Sequence, residues 1–190
     1  MPGSLEQIAR LYSRVFDTVI KVTKPEVAEM AKLYENCQRM IAIAYANEMA
    51  DACIPLGIDP FEVAAAAATK PFGYLPITPS AGVGGHCIPV NPLYLLSNFD
   101  FPLLKAATDM MSQRPAQVAH RLMQSVREER VVFTEPYNFR PRVLIIGMGF
   151  KPGQSHVTNS PGLSLASVLA GSGKVDVMFV DPLVGQAAVP

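Results

Sequence analysis

Residues 142–181 constrain the fold of this 190-residue chain more than any other stretch. "RVLIIGMGF" is a continuous apolar run entering a glycine turn, the pattern of a strand buried in a parallel sheet. "SPGLSLASVLAGSG" supplies a helix with Ser160 as cap, Pro161 in the first turn and glycines at the exit, and "VDVMFVDP" is a second strand. Strand, helix and strand in that order make one right-handed crossover with parallel strands. One crossover cannot cover both faces of its own sheet. The expectation is a partial α/β unit, incomplete at this end of the chain.

Before residue 130 nothing predicts a strand. "SLEQIARLYSRVFDTVIKV" is an amphipathic helical stretch with a short extended exit. "TKPE" matches a capping box, with Thr23 as cap and Glu26 reaching back. The helix it opens should run to about Cys53, where Pro55 and Gly57 stop it, and bury one stripe of Val27, Met30, Tyr34, Cys37, Ile41, Ala44 and Tyr45. "DPFE" starts another helix, with Asp59 as cap and Pro60 in the first turn, which ends near "TKPFG". "GVGGHCIPVNP" resembles neither strand nor helix core. "LYLLSNFDFPLLKAATDMMSQ" resumes helix, and Pro115 divides it from "AQVAHRLMQSVREER". The predicted organisation is a leader helix at 1–22, a helical domain at 23–134, a linker at 135–141 and a partial α/β domain at 142–190. The long helix carries more apolar surface than so small a chain can cover, which predicts a symmetric helix-to-helix dimer.

Composition excludes several classes. Sixteen basic and sixteen acidic residues cancel without any block of like charge, so neither nucleic acid nor an anionic membrane is an expected partner. The longest uncharged run, Pro71 to Phe99, is interrupted by five prolines and four glycines, which no membrane-spanning helix tolerates. "MPGSLEQIAR" lacks the layout of a signal peptide. Three cysteines, Cys37, Cys53 and Cys87, form no C-x-x-C pair and no zinc spacing. The chain reads as cytoplasmic with reduced thiols, and no metal is expected.

Three places carry chemistry. In the glycine loop, Gly84 and Gly85 can adopt positive φ and admit a ligand to the backbone, while Pro89 and Pro92 stiffen the exit around Cys87. Cys87 is then either a pre-placed nucleophile beside His86 or a small apolar plug where helix meets loop, and composition alone favours the plug. Lys32 and Asn36, spaced i, i+4 on one helix face, can hold an oxyanion by charge and by amide donor, or form an ordinary exposed pair. The third place is "GMGFKPG", where backbone amides can cradle phosphate with Lys151 adding charge, and Asp181 closes the next strand at the position of a ribose-binding acid. Its third glycine falls one place late for G-x-G-x-x-G, so it reads as a nucleotide cradle of some kind.

Three long motifs, in order and correctly separated, resemble the UDP-glucose/GDP-mannose dehydrogenase family: "AEMAKLYEN", "TKPFGYLPITPSAGVGGHCIPVNPLYLL" and "VLIIGMGFKPGQSHVTNSPGLSLASVLAGSGKVDVMFVDP". The resemblance covers nearly the whole chain. It implies a mainly α central helical dimerisation domain followed by a truncated Rossmann-like α/β unit that binds UDP. The NAD-binding domain that opens the family would precede Met1, and the third domain would continue past Pro190. The family oxidises the primary alcohol of a nucleotide sugar to the acid with two NAD in succession. The aldehyde is captured by a cysteine as a thiohemiacetal and then passes through a thioester that water releases.

By that resemblance Cys87 is the nucleophile, and Lys32 and Asn36 stabilise the oxygen charge and position water. Tyr74, Gly82, Gly84, Gly85 and Lys151 contact the UDP-sugar. The "GGHCIPV" form of the loop looks most like the branch that oxidises N-acetylated amino sugars. Asn91 stands where the family has an aspartate, and Thr158 where it has an arginine. An amide cannot take a proton near neutral pH, so Asn91 weakens general-base help. Because the NAD-binding domain would precede Met1, the isolated chain is expected to be inactive. The alternatives are a non-catalytic dimerisation module of the same family and, more weakly, a cysteine hydrolase, which would need a second motif-like histidine where His120 and His156 occupy unremarkable settings.

Overall fold

The computed structural model describes residues 3–132 and 140–189, so the expected linker lies outside them except for Arg140 and Pro141. The chain divides into two compact units, Met1–Glu35 and Asn36–Pro190. Each is described by itself.

In the first unit, α1 (Ser4–Tyr12) is shorter than the helical stretch expected over "SLEQIARLYSRVFDTVIKV", and residues 13–24 form no regular element. Helix α2 (Pro25–Cys53) begins there with proline as its first residue, so the flanking residue is Lys24 and not the predicted cap Thr23. The fixed φ of proline suits that first position and sets the start. Val27, Met30 and Tyr34 are exposed, contrary to the single buried stripe expected of them.

In the second unit α2 buries Asn36, Cys37, Met40, Ala44, Asn47, Ala50 and Cys53, while Tyr45 is exposed. The true buried face includes two asparagines, and a stripe traced through apolar residues alone drifts off it. Helix α3 (Pro60–Ala68) starts as expected, with the Asp59 side chain accepting from the Phe61 amide at 2.9 Å. Two helical expectations fail around the prolines. Helix α4 (Cys87–Leu96) begins at the cysteine itself and contains Pro89 and Pro92. Pro89 sits in the first turn, where a missing N–H leaves no hydrogen bond unmade. The chain breaks instead at residues 97–101, and α5 (Pro102–Val132) runs through Pro115 without interruption. An internal proline costs a helix about 3 kcal/mol. Here α5 packs along α4 and α6, and burial of Leu104, Ala107, Met111 and Ala119 on both sides of Pro115 offsets that cost.

Strands β1 (Arg142–Ile146) and β2 (Asp176–Val180) are parallel, with Arg142 opposite Asp176 and Ile146 opposite Val180. Helix α6 (Pro161–Gly171) connects them, and Ser160 caps it by accepting from Leu163 N at 3.2 Å. The core of this part joins Ala119 of α5, Ile145, Met148, Ala166, Leu169, Val175 and Val184. The opposite sheet face, with Leu144, Ile146, Met178 and Val180, is exposed, as a lone crossover predicts. A mainly helical protein with a small α/β unit is the fold class that the sequence predicts. Among the described residues no helix is long and apolar enough to cross a membrane.

Candidate functional site

The loop that carries Cys87 is fixed at both ends. At its start, the Ser80 amide donates to Asn47 Oδ1 at 2.8 Å, and Asn47 Nδ2 donates to Ile43 O at 3.0 Å and to Ser80 Oγ at 3.3 Å. Arg114 of α5 donates from Nε to Ser80 O at 2.8 Å. Its terminal nitrogens grip Asp51 at 2.9 and 3.1 Å, and Arg121 adds a bond of 2.6 Å. Burial alone would raise the Asp51 carboxyl; the hydrogen bonds from Arg114 and Arg121 and their charges outweigh it and hold the group below the usual carboxylate range.

The glycines serve packing rather than access. A Cβ on Gly84 would lie 2.8 Å from both Phe150 Cβ and Pro161 Cδ, and one on Gly85, whose φ is +83°, would lie 2.8 Å from the Phe150 ring. Gly82 is pressed similarly against Pro115 and Pro161. The expectation that these positions admit a ligand to the backbone is therefore corrected: the neighbour that needs their missing side chains is the α/β unit. Gly85 is also tied there by polar groups. Its amide donates to Thr158 O at 3.0 Å, and its carbonyl accepts from Asn159 Nδ2 at 2.9 Å.

Two residues later Cys87 opens α4 and is exposed, which removes the reading of it as a buried plug. His86 precedes it, exposed and making no side-chain capping bond. Because α4 starts at the cysteine, Asn91 lies one turn on, on the same helix face. Asn91 Oδ1 accepts from Asn36 Nδ2 at 2.5 Å, and Asn36 is buried on α2. Cys87, Asn91 and Asn36 are thus brought into one neighbourhood. Lys32 belongs to the first unit, where it is exposed and bonded to Glu35 at 3.2 Å. Tyr74 is placed elsewhere, lining an apolar cavity of about 480 Å³ with Tyr45, Met49, Val63 and Ile77, which none of Cys87, Asn36 and Asn91 lines.

The "GMGFKPG" turn is not an open phosphate cradle. Gly147 N donates to Val180 O at 2.8 Å, and Phe150 N donates to His156 O at 3.1 Å. Between them, the amides of Met148 and Gly149 donate to Asp181 Oδ2 at 2.7 and 3.1 Å. Asp181 Oδ1 accepts from Leu183 and Val184 amides, and the Met148 bond leads the four that pull its carboxyl down to about 2. The acid expected at a ribose is instead the internal anchor of the turn. Lys151 remains exposed. Among the described residues no group of His, Cys, Asp and Glu can hold a metal ion.

Sequence reasoning missed the Asp51–Arg114–Arg121 cluster, the Ser80 anchor and Asn159. Arg114 and Arg121, seven residues apart and so on one face of a helix, were a usable signal. Asn159 gave only its place before Ser160 and Pro161.

Residues 26–112 match the UDP-glucose/GDP-mannose dehydrogenase family, central domain. Over 188 residues, 96% of this chain, the sequence is 32% identical to the UDP-N-acetyl-D-mannosamine dehydrogenase of Pyrococcus horikoshii. It is 28% identical over 183 residues, 95% of this chain, to the enzyme of that name from Campylobacter jejuni. The chain spans less than half the length of these relatives, 43% and 42% respectively. The solved UDP-D-ManNAc dehydrogenase of P. horikoshii is similar with a TM-score of 0.84 at 30% identity, covering 97% of this chain and 43% of that one. The UDP-N-acetyl-mannosamine dehydrogenase of Staphylococcus aureus gives 0.78 at 25% identity, covering all of this chain and 42% of that one. The matched residues contain both the long helix α2 and the cysteine at the head of α4, and the likeness runs on through the crossover unit. Residues 26–112 carry the likeness to the central domain of the UDP-glucose/GDP-mannose dehydrogenase family, and nearly the whole chain is similar to dehydrogenases of that kind.

Proposed function

We propose that this chain carries the thiol site of an NAD-dependent oxidation that turns the primary alcohol of a UDP-sugar into the acid. The substrate class is a UDP-N-acetyl-hexosamine, with UDP-glucose as the other candidate. The observation that carries the reading is an exposed Cys87 at the head of α4, one turn from the Asn36–Asn91 pair. The names of the matched relatives support the substrate class.

The glycine turn after β1 does not fit the dinucleotide, because its amides from Gly147 to Phe150 are occupied internally. In this reading NAD would supply the hydride acceptor and would be held by residues other than these. The chain's own residues do the carbonyl chemistry. Cys87 Sγ adds to the aldehyde carbon, and the carbonyl electron pair moves onto oxygen. The amides at the start of α4 and the Asn36 amide are the donors for that oxyanion. After oxidation to the thioester, water adds to the same carbon, the C–S bond breaks and the thiolate is restored. Asn91 can orient that water but cannot take its proton. Lys151 is assigned to the nucleotide.

The test replaces the matching 43% of the P. horikoshii relative with this chain. The chimera is expected to form acid from a UDP-N-acetyl-hexosamine and NAD, and Cys87→Ser in it to abolish acid formation. Acid at the parental rate from the serine variant would refute the thiol mechanism. The 190 residues alone are the control and should form no NADH.

A non-catalytic dimerisation module is the second reading, favoured by the exposed apolar residues of α2: Val27, Met30 and Tyr34 in the first unit, Tyr45 and Met49 in the second. Both readings expect a homodimer through this helix. Sedimentation should give twice the chain mass at micromolar concentration, and a stable monomer there counts against the helix interface.

A further inference from the structure

Asn159 is the one residue other than glycine with a left-handed backbone among the described residues, at φ 49°. Asparagine tolerates that region better than other side-chain-bearing residues, but the conformation still costs energy and persists where the surroundings demand it. What it achieves here is orientation. The left-handed turn at Asn159 lets its side chain reach Gly85 O at 2.9 Å while the preceding carbonyl, Thr158 O, takes the Gly85 amide at 3.0 Å. Both polar groups of one peptide-bearing residue, Gly85, are therefore held by two consecutive residues of the α/β unit. Gly85 is buried, with the Phe150 ring against it, and Cys87 follows two residues later in the open. A single intervening residue, His86, makes no side-chain cap bond that would fix the helix start independently.

We propose that Asn159 is a positioning residue for Cys87: by clamping Gly85 to the α/β unit it determines where the thiol at the head of α4 stands. The functional weight of this rests on the reading of Cys87 as the nucleophile. The clamp itself does not, and it is tested without any turnover.

Two variants separate the side-chain bond from the backbone shape. Asn159→Gly keeps the left-handed turn and loses the side chain; Asn159→Asp keeps the side-chain shape, tolerates the same backbone and has no N–H to donate. Each is made in the 190-residue chain, and Cys87 is tagged with a trifluoromethyl thiol label, Cys37 and Cys53 being buried. In both variants amide exchange across residues 82–88 is expected to rise about three- to tenfold, the range for one lost hydrogen bond. The fluorine resonance at Cys87 should move toward that of the free label, while the exchange of the buried α5–α6 core stays unchanged. A merely structural role would lower the melting temperature and leave the resonance in place, and that result overturns the proposal. It is equally overturned if Asn159→Gly moves the resonance and Asn159→Asp does not, because the donated hydrogen bond is then not the cause. If the resonance moves in both variants while the Cys87→Ser chimera still forms acid, the clamp stands and the assignment of Cys87 as nucleophile falls.

Discussion

Asp51→Ala is expected to lower the free energy of unfolding by about 2–4 kcal/mol at neutral pH. Removing one partner of a buried ion pair typically costs about 3–5 kcal/mol, because the other charge is left without compensation. Arg114 is that stranded charge: its side chain is 8% exposed, and both terminal nitrogens rely on Asp51. The expectation is set below the full range because 35% of the Asp51 side chain and 42% of that of Arg121 remain in contact with water, which screens part of the loss. The effect should reach the loop, since Arg114 also holds Ser80 O. The pH dependence has a definite sign. The folded carboxyl titrates below the unfolded one, so its contribution is complete above the ordinary carboxylate range near about pH 4 and shrinks as pH falls toward the lowered folded value. Urea unfolding at pH 7 and in acid should show the parent and the variant converging as pH falls. A variant within about 0.5 kcal/mol of the parent at pH 7, the usual spread for surface substitutions, would show that the cluster holds little.

That cluster also marks where the sequence stops being readable. Elements whose boundaries are written in adjacent residues were legible: Asp59 before Pro60, Ser160 before Pro161, and the two apolar runs that become β1 and β2. Each is a local rule in which cap, proline or period acts within a few residues. The misreadings share a different cause. Pro115 stays inside a helix, and Asn36 and Asn47 lie on a buried face, because partners more than thirty residues away compensate what the local rule forbids. Asp181 has the position of a ligand-binding acid, yet one oxygen is held by the turn opposite it and the other by the amides of Leu183 and Val184. The motif marked Cys87 and Asn36 as places where chemistry can occur. It could not reveal that α4 begins at the cysteine, and it is this that brings Asn91 one turn away into bond with Asn36. The glycines show the same limit, since their spacing is equally consistent with a ligand or with the Phe150 ring pressed against the backbone.

Asn91→Asp, made in the chimera with the P. horikoshii relative, is expected to speed acid release by about 10²-fold. Hydrolysis of a thioester needs a proton taken from the attacking water, and a positioned base contributes about 10²–10⁴ to such a step. The amide of Asn91 has no proton-accepting capacity at neutral pH, whereas a carboxylate of the same shape does. One oxygen of that carboxylate can keep the bond now made to Asn36 Nδ2, leaving the second free for water. The lower end of the range is expected because the Asn36 donor stabilises the charged carboxylate and so weakens it as a base. The kinetic form distinguishes this account from a general gain in folding. With Asn91 present, NADH should appear in a rapid burst followed by a slow steady state, because thioester accumulates on Cys87 faster than water removes it. With Asn91→Asp the burst should merge into the faster steady state, and Cys87→Ser should abolish acid formation in either background. Equal steady-state rates without a burst would mean that thioester hydrolysis does not limit turnover and that Asn91 has no part in activating water.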